Sequence, residues 1–171
     1  MTALNQIAPT LGSNANSYEW MWDICTNPAE SPRKYMNVPD ITGLAPLAPP
    51  KNQDDATYAN KGQDSQSKIG ETFSLQVTVK AVLDANGELQ PYLIALIKAA
   101  DATGSDNIIG HRYYHATSEI LAYEGTAGVE WVRQNTGNAD LEFFSFTLTG
   151  KGDRKRIPNP ARETAPKPLT K

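Results

Sequence analysis

The chain has 171 residues, of which 39% are hydrophobic and 20% are charged, with a formal net charge of −3. This length and a mean hydropathy of −0.49 predict a soluble protein with one core of moderate size. No apolar run approaches the roughly 18 residues of a membrane span, and Met1 to Gly12 lacks the basic start and apolar stretch of a secretory signal. We therefore expect neither membrane insertion nor secretion.

The charge is distributed unevenly along the chain. Residues 1–150 contain 9 Lys and Arg against 17 Asp and Glu, a net charge of −8, whereas residues 151–171 contain 7 against 2, a net charge of +5. A basic tail on an acidic body predicts either a solvated, flexible tail or one that docks onto an acidic surface of a neighbouring subunit.

The N-terminal part is predicted to be an arm followed by extended chain. Residues 1–18 are rich in Asn, Ser and Thr and predict an arm, which stays disordered unless something ties it down. A strand is predicted from Tyr18 to Cys25, and a second extended segment from Tyr35 to Ile41. Cys25 follows an apolar-rich run, which predicts a buried, reduced thiol. The residues expected on one face of the first strand are Tyr18, Trp20, Trp22 and Ile24.

The clearest signal is the strict alternation of apolar and polar residues from Glu71 to Leu83. It predicts a strand of 13 residues, about 43 Å long and about twice an ordinary strand, which would outrun its own domain. The preceding segment, 46–68, has no useful periodicity and predicts a long projecting loop. The strand's expected buried side is Phe73, Leu75, Val77, Val79 and Ala81, and its polar side is Thr72, Ser74, Gln76, Thr78 and Lys80.

One helix and a series of short strands are predicted for the rest of the chain. The helix covers about 90–103, with Pro91 in its first turn and Gly104 as a C-terminal cap. Residues 151–171 contain four prolines and predict a basic tail without regular structure. The domain is therefore expected to be 19–150, an antiparallel β-sandwich or split barrel with one flanking helix. Its later strands are expected at Ile109–Thr117, Glu119–Glu124, Val129–Gln134 and Leu141–Thr149, with turns at 125–128 and 135–138.

No catalytic, cofactor-binding or metal-ligating residue is predicted. His111 and His115 are four residues apart on a predicted strand, about 13 Å, too far to share one ion. The P-loop, Gly-x-Gly-x-x-Gly and Gly-x-Ser-x-Gly motifs do not occur in the sequence. The adjacent carboxylates Asp54 and Asp55 are interpreted as solvating a loop tip.

Side-chain type suggests two binding hypotheses. Trp20, Trp22 and Trp131 could form a sugar-stacking platform, although alternating tryptophans are more often core residues. The basic cluster from Lys151 to Arg156 could neutralise phosphates, but no aromatic residue is interleaved with it and the body is acidic.

Several segments, in this order and spacing, resemble the major tail tube protein of long-tailed, siphovirus-type bacteriophages over about residues 38–160. They are Asp40-Ile41-Thr42-Gly43-Leu44, Tyr58-Ala59-Asn60-Lys61-Gly62 leading into Gly70, Ala99-Ala100, Gly104-Ser105-Asp106-Asn107, Ala122-Tyr123-Glu124-Gly125, Phe144 to Gly152, and Ile157-Pro158-Asn159-Pro160. The resemblance implies no enzymatic residues and no cofactor.

The resemblance implies a structural subunit with many partners of its own kind. Six copies would close into a ring with one continuous inner barrel, and rings would stack into a hollow tube of the virion, assembled in the host cytoplasm. The loop 46–68 and both terminal arms would contact adjacent subunits. The tube would enclose the tape measure protein, meet tail terminator and distal tail proteins at its ends, and conduct DNA without binding it specifically. An acidic lumen is expected, since basic walls would hold phosphates.

Two other functions stay open at this point. A tube protein of a contractile secretion or tailocin apparatus would have the same fold class, and the sequence hardly separates the two. A monomeric β-sandwich module that binds carbohydrate or protein through its tryptophans would not need long arms. The polar positions from Thr72 to Lys80 are candidates for a lumen lining, although Lys80 counts against a uniformly acidic face.

Overall fold

The structure is a computed structural model and describes residues 12–163. Short 3₁₀ turns lie at Ser17–Glu19, Tyr58–Asn60 and Gly104–Asn107. The strands are β1 (Trp20–Cys25), β2 (Met36–Asn37), β3 (Ile41–Leu47), β4 (Pro50–Asp54), β5 (Gln66–Glu71), β6 (Ser74–Lys80), β7 (Ile108–His115), β8 (Ala122–Arg133), β9 (Phe143–Gly150) and β10 (Lys155–Arg156), and the helices are α1 (Pro91–Asp101) and α2 (Pro160–Glu163).

Eight strands form one antiparallel sheet in the order β2-β1-β7-β8-β9-β6-β3, with β10 beside β8. β8 is shared, because residues 122–128 pair with β7 whereas residues 127–133 pair with β9. We call β2, β1, β7, β10 and residues 122–126 the first half-sheet. The second half-sheet is β3, β6, β9 and residues 127–133. The predicted fold class, mainly antiparallel β with one flanking helix, is confirmed.

The core lies between the two half-sheets and α1. Trp22 and Tyr113 from the first half-sheet, and Val77 and Phe146 from the second, are at most 1% exposed. Phe73 stacks on Tyr113 with ring centroids 6.0 Å apart and so joins the halves. The helix adds Tyr92, Leu93, Leu96 and Ala99, which share one side because helical neighbours are three or four residues apart.

The strand predicted from Glu71 to Leu83 has the predicted buried face but different bounds. Its regular core-facing part is β6, which ends at Lys80, whereas Glu71 belongs to β5 in a separate two-stranded sheet with β4. β5 and β6 are nevertheless two parts of one extended arm, since Leu47 pairs with Ser74 and Pro50 pairs with Glu71 in the same register. The ladder breaks beside two successive prolines, which have no N–H to donate.

The prediction that segment 46–68 is a loop without regular structure is wrong. β4 and β5 pair over this stretch to form a hairpin with a 3₁₀ turn at Tyr58–Asn60 near its tip. Lys61 adopts a left-handed conformation with φ 53°, followed by Gly62 with φ 81°, so the chain reverses direction here. The segment projects, as predicted, but as a β-hairpin.

The turn predicted at 125–128 is also wrong, because this stretch lies inside the 12-residue strand β8. Close packing requires a glycine at Gly128 instead, whereas a Cβ at Gly125 would meet only ordinary van der Waals contacts. A Cβ at Gly128 would lie 2.9 Å from Oδ1 of Asn107, and one at Gly125 would lie 3.5 Å from Nε2 of His111. The two predicted strands Glu119–Glu124 and Val129–Gln134 are therefore one.

The C-terminal tail is partly built into the domain, which corrects the boundary predicted at residue 150. β10 pairs with β8, and Asn159 is 4% exposed. Pro160 begins α2, a position where a missing N–H costs nothing. The rest of the predicted arm, 164–171, lies outside the described residues, as does 1–11 of the predicted N-terminal arm.

The remaining predicted bounds need smaller changes. The first strand begins at Trp20, and Tyr18 lies in a 3₁₀ turn with 83% of its surface exposed. The helix has nearly the predicted bounds, with Gln90 preceding it. Gly104 does not cap α1 directly, but its φ of 67° starts the next 3₁₀ turn. Cys25 is buried and unpaired, as predicted.

Candidate assembly surfaces

The outer edge of β3 has backbone groups with no strand partner among residues 12–163. Thr72 donates its N–H to the carbonyl group of Pro49 (3.1 Å), and the same register continues along β3 and β6. Hydrogen-bonded and non-bonded pairs alternate in an antiparallel ladder. Leu44 and Pro46 therefore turn their backbone groups to the open side, and Pro46 offers only its carbonyl oxygen there.

The last part of β8 is the other open edge of the second half-sheet. Gln134 donates its N–H to the carbonyl group of Phe143 at 3.0 Å, which fixes the alternation along this hairpin. One outward group is already used, since Asn107 Nδ2 donates to the carbonyl oxygen of Val129 at 2.8 Å. Beyond Gly128 no other strand within the described part of the chain pairs with this side. The remaining residues with outward backbone groups are Trp131 and Arg133.

A groove of about 760 Å³ lies beside the open edge of β3. It is lined by residues 41–44 of β3 and by residues 16–18, 20–21 and 37–39. The groove therefore separates the β3 edge from the β1 and β2 end of the sheet. Among residues 12–163, no strand pairing closes the sheet on itself.

The second half-sheet has a polar face directed away from the core. Residues that are directly opposite in an antiparallel ladder lie on the same face. We call this surface the hydroxyl face, after its six hydroxyl and amide side chains. Its three cross-strand rows are Leu47–Ser74–Thr149–Gly128, Ala45–Gln76–Thr147–Glu130 and Gly43–Thr78–Ser145–Val132.

The β4–β5 hairpin presents large exposed side chains beyond the domain. Tyr58 and Ile69 are at least 58% exposed. Asp55 lies at the end of β4 instead of at the tip, and it accepts a hydrogen bond from the hydroxyl group of Ser67. Hydrogen bonds from that serine and from Ser65 lower the pKa of Asp55. The hairpin is thus held together by its own hydrogen bonds, while its large apolar side chains are exposed and could contact another subunit.

Arg154 joins the C-terminal segment to the base of the hairpin. Its Nε donates to Glu71 at 3.0 Å and its Nη1 donates to the hydroxyl group of Tyr113 at 3.0 Å. The guanidinium carbon also lies 4.5 Å from the ring centre of Tyr123. Hydrogen bonds from Lys68 and Arg154 hold the pKa of Glu71 below its ordinary value. Two members of the basic cluster predicted from Lys151 to Arg156, Arg154 and Arg156, therefore contact aromatic rings of their own domain.

A polar ladder crosses the outer face of the first half-sheet. Asp23 is 3% exposed and accepts hydrogen bonds from Arg112 Nε (2.7 Å), Asn37 Nδ2 (2.8 Å) and the hydroxyl group of Tyr114 (3.2 Å). Burial is the main reason for the raised pKa of Tyr114. The residues directly opposite one another across five strands are Asn37, Asp23, Arg112, Glu124 and Lys155.

The two histidines lie on the same side of β7 but have different surroundings. His111 is fully buried, stacks on Phe73, and has no hydrogen-bond partner for either ring nitrogen in the structure. Burial lowers its pKa to about 4, and Arg33 adds to this effect. His115 lies 3.2 Å from Glu19. Within residues 12–163, no group of three or more His, Cys, Asp or Glu side chains could hold a metal ion.

The three tryptophans are not brought together into a platform. Trp22 is fully buried in the core, and Trp20 packs its ring edge-on against His115. Trp131 lies on the second half-sheet, where its Nε1 donates to Asp101 at 2.9 Å. The tryptophans are part of the packing of the domain, so a sugar-stacking surface made from them receives no support.

Sequence reasoning missed Arg154, Asp23 and Asn159 as organising residues. Arg154 and Glu71 are 83 positions apart, so no local pattern connects them. The side-chain amide of Asn159 donates to the carbonyl groups of His115 (2.6 Å) and Ser118 (2.5 Å). The one available signal was the charge of Asp23 inside an apolar strand, since a buried carboxylate needs donors.

The structure defines a class: an antiparallel β domain with one flanking helix, two open strand edges and a projecting hairpin. No helix among the described residues is long and apolar enough to cross a membrane. No family model matches the sequence, and no curated protein matches it.

The fold is similar to that of chains in solved tail and baseplate structures. A chain of the SPP1 tail tube is similar with a TM-score of 0.63 and 13% identity, covering 88% of this chain and 84% of that one. A chain from the tail of an empty gene transfer agent particle, with C6 symmetry, has a TM-score of 0.58 and 6% identity, covering 84% and 99%. A chain of the sixfold-symmetrised anti-feeding prophage baseplate has a TM-score of 0.55 and 11% identity, covering 86% and 98%. The chain thus has the fold of phage tail tube proteins.

Proposed function

We propose that this chain is a structural, non-enzymatic subunit of a phage tail tube, which assembles into hexameric rings that stack around a channel. The observation that carries the proposal is the second half-sheet, which has four antiparallel strands and ends at two open edges. Such edges pair with further strands unless they are protected, and ring closure removes them. The C6 symmetry of the similar gene transfer agent tail supports six copies.

The number of strands fits a closed ring. Rotational symmetry gives β3 the same direction in every copy. Four strands alternate in direction, so β8 of one copy runs antiparallel to β3 of the next, and the antiparallel sheet continues without interruption. Six copies supply 24 strands, which at about 4.8 Å spacing give a circumference of roughly 115 Å and a diameter of roughly 37 Å. Strand tilt widens this value.

The joining edges can be tested with one substitution and its matched control. Arg133→Pro removes an outward N–H at a position where an edge strand tolerates proline, whereas Arg133→Ala loses only the Glu142 ion pair. At high concentration, we expect wild-type and Arg133→Ala protein to form rings or tubes by negative-stain electron microscopy. Arg133→Pro should remain monomeric, with an unchanged circular dichroism spectrum. If Arg133→Pro assembled at the same concentration as the wild type, the proposal that this edge of β8 joins neighbouring copies would be refuted.

The hairpin supplies the contact between rings in this proposal. Its exposed Tyr58 and Ile69 would bury their apolar surface against a neighbouring ring. Replacing residues 51–70 by a two-residue Asn-Gly turn should leave the thermal unfolding midpoint within a few degrees. It should also reduce long tubes to single rings in electron micrographs. Tubes of normal length would show that stacking uses another surface.

The partners outside the ring follow from the same proposal. The channel would hold the tape measure protein during assembly and conduct DNA on delivery. Tail terminator and distal tail proteins would meet the tube ends, in the virion and, during assembly, in the host cytoplasm. Purified wild-type protein that stays monomeric at every concentration and salt condition would contradict the proposed function as a whole.

A second candidate is the inner tube of a contractile apparatus. It is favoured by the likeness to the anti-feeding prophage baseplate chain. Both candidates use the same ring, so the Arg133→Pro experiment does not separate them. Electron microscopy of the native particle does, because a contractile tail surrounds its tube with a sheath and a non-contractile tail does not.

A further inference from the structure

The hydroxyl face has a chemical composition that differs from the rest of the chain. Of its twelve residues in three rows, six are Ser, Thr or Gln, and only Glu130 is charged. The next row along β6 adds Lys80, which is directly opposite Phe143. One carboxylate and one ammonium group offset each other, although residues 1–150 together have a net charge of −8. Within the three rows Glu130 is the only acidic residue.

This face is partly exposed in the single chain, although Ser145 is only 6% exposed. Gln76, Thr149, Lys80 and Glu130 are all exposed, and the opposite side of the same strands is the buried core. When the β3 and β8 edges join between copies, each row becomes a ring of identical side chains. Glu130 and Lys80 then form two rings of opposite charge, with rings of hydroxyl and amide groups around them.

We propose that the hydroxyl face is an electroneutral channel lining that neither binds nor repels a passing polyanion such as nucleic acid. This inference rests on the proposed function, because it assigns the inner wall of the ring. Affinity for a polyanion depends on the number of cations that neutralise phosphates. A wall with offset charges and many hydroxyl groups supplies no net cation, and its low charge also avoids the repulsion expected of an acidic lining.

The lining can be tested by reversing its one negative charge. Glu130→Lys gives each ring six new ammonium groups, and Glu88→Lys makes the same exchange in the exposed turn between β6 and α1. Tubes of both variants and of the wild type are sedimented with a fluorescent single-stranded oligonucleotide of 20 nucleotides, at 50 and 200 mM salt. We expect Glu130→Lys tubes to retain at least tenfold more oligonucleotide than Glu88→Lys tubes at low salt. With about six phosphate contacts, the affinity of Glu130→Lys tubes for the oligonucleotide should fall by up to about a thousandfold between 50 and 200 mM salt.

The outcomes test the assignment of the channel lining separately from the assembly of the tube. Equal retention by Glu130→Lys and Glu88→Lys tubes would overturn the assignment of this face to the channel. Salt-sensitive retention by wild-type tubes would overturn its neutrality. Thr147→Lys, directly opposite Glu130, gives a second variant if Glu130→Lys forms no tubes. Failure of the wild-type chain to form tubes contradicts the proposed function instead, and electron microscopy of each sample records this independently.

Discussion

Arg154 and Glu71 are joined by an ion pair with an Nη2–Oε1 distance of 2.9 Å, although they are 83 residues apart in the sequence. Glu71 is the last residue of β5 in the projecting hairpin, and Arg154 directly precedes β10 in the C-terminal segment. The pair therefore fixes the base of the hairpin relative to the first half-sheet. The bond from Arg154 to Tyr113 anchors the same guanidinium group to β7.

We expect Arg154→Ala to loosen both segments at once. The variant loses the hydrogen bond to Tyr113 and the contact with Tyr123, which together should lower the free energy of unfolding by about 1–2 kcal/mol. Hydrogen exchange measured by mass spectrometry should become faster at residues 66–73 and 154–157. Lys155→Ala, at the exposed neighbouring position, is the control. Identical exchange in the two variants would show that Arg154 does not organise the hairpin base.

The C-terminal segment should be divisible into a part that the fold needs and a part that it does not. The sequence predicts a tail without regular structure at residues 151–171, outside the domain. The pairing of β10 and the burial of Asn159 reverse that expectation. Removing 152–171 should lower the thermal unfolding midpoint strongly, whereas removing 164–171 should leave it within a few degrees. Equal midpoints for the two truncations would contradict this division.

Asn159 should account for much of that difference. Asn159→Ala leaves the carbonyl groups of His115 and Ser118 without this donor, so we expect a loss of about 2 kcal/mol in urea denaturation. Arg162→Ala removes only the exposed pair with Glu119 and should cost less than about 1 kcal/mol. A similar cost for both substitutions would argue against a buried docking role for Asn159.

The buried His111 predicts a dependence of stability on pH. Its folded-state pKa of about 4 lies below the ordinary value of 6.5, so the unfolded chain binds the proton more readily. The stabilising contribution is therefore complete above about pH 6.5 and is lost as the pH falls towards 4. Between pH 7 and pH 5 the loss should be about 2 kcal/mol. His111→Phe keeps a ring in the stack and should lack this component in urea denaturation at both pH values. An unchanged pH dependence in His111→Phe would refute the assignment.

Breaking the ion pair in the polar ladder should lower the free energy of unfolding more than breaking an exposed ion pair elsewhere. Asp23→Ala leaves Arg112, whose side chain is 26% exposed, without its partner and should cost about 3 kcal/mol. Glu30→Ala breaks a pair with Lys34, whose side chain is 83% exposed, and should change stability by less than about 1 kcal/mol. Urea denaturation at pH 7 measures both. If Asp23→Ala were as mild as Glu30→Ala, the ladder would contribute little to stability.

Local periodicity was sufficient to predict which residues form the core of the second half-sheet. Leu75, Val77 and Val79 are fully buried, as their alternation indicated, because a strand places every second side chain on the same face. The helix followed from apolar residues spaced three and four apart, and its bounds, Pro91–Asp101, lie within two residues of the prediction. These features depend on neighbours close in sequence.

Long-range packing could not be predicted from the same patterns. Gly125 and Gly128 were interpreted as a turn, but both lie inside β8, and Asn107 approaches Gly128 too closely for a Cβ. The open edges likewise depend on which strands pair, and a sequence records no partner for a strand. Only part of the hydroxyl face could be predicted, namely the polar residues of β6. The residues of β9 could be added only once its pairing register with β6 was known.

The continuity of β8 determines how the subunit would transmit force. A pull on the wall of a ring passes from β3 through β6 and β9 into residues 127–133 by hydrogen bonds. From there the load enters the first half-sheet along the covalent backbone of the same strand, so the two layers have no separable joint at this point. In the proposed tube, bending or stretching would then strain the contacts between copies before it could pull the two layers of one copy apart.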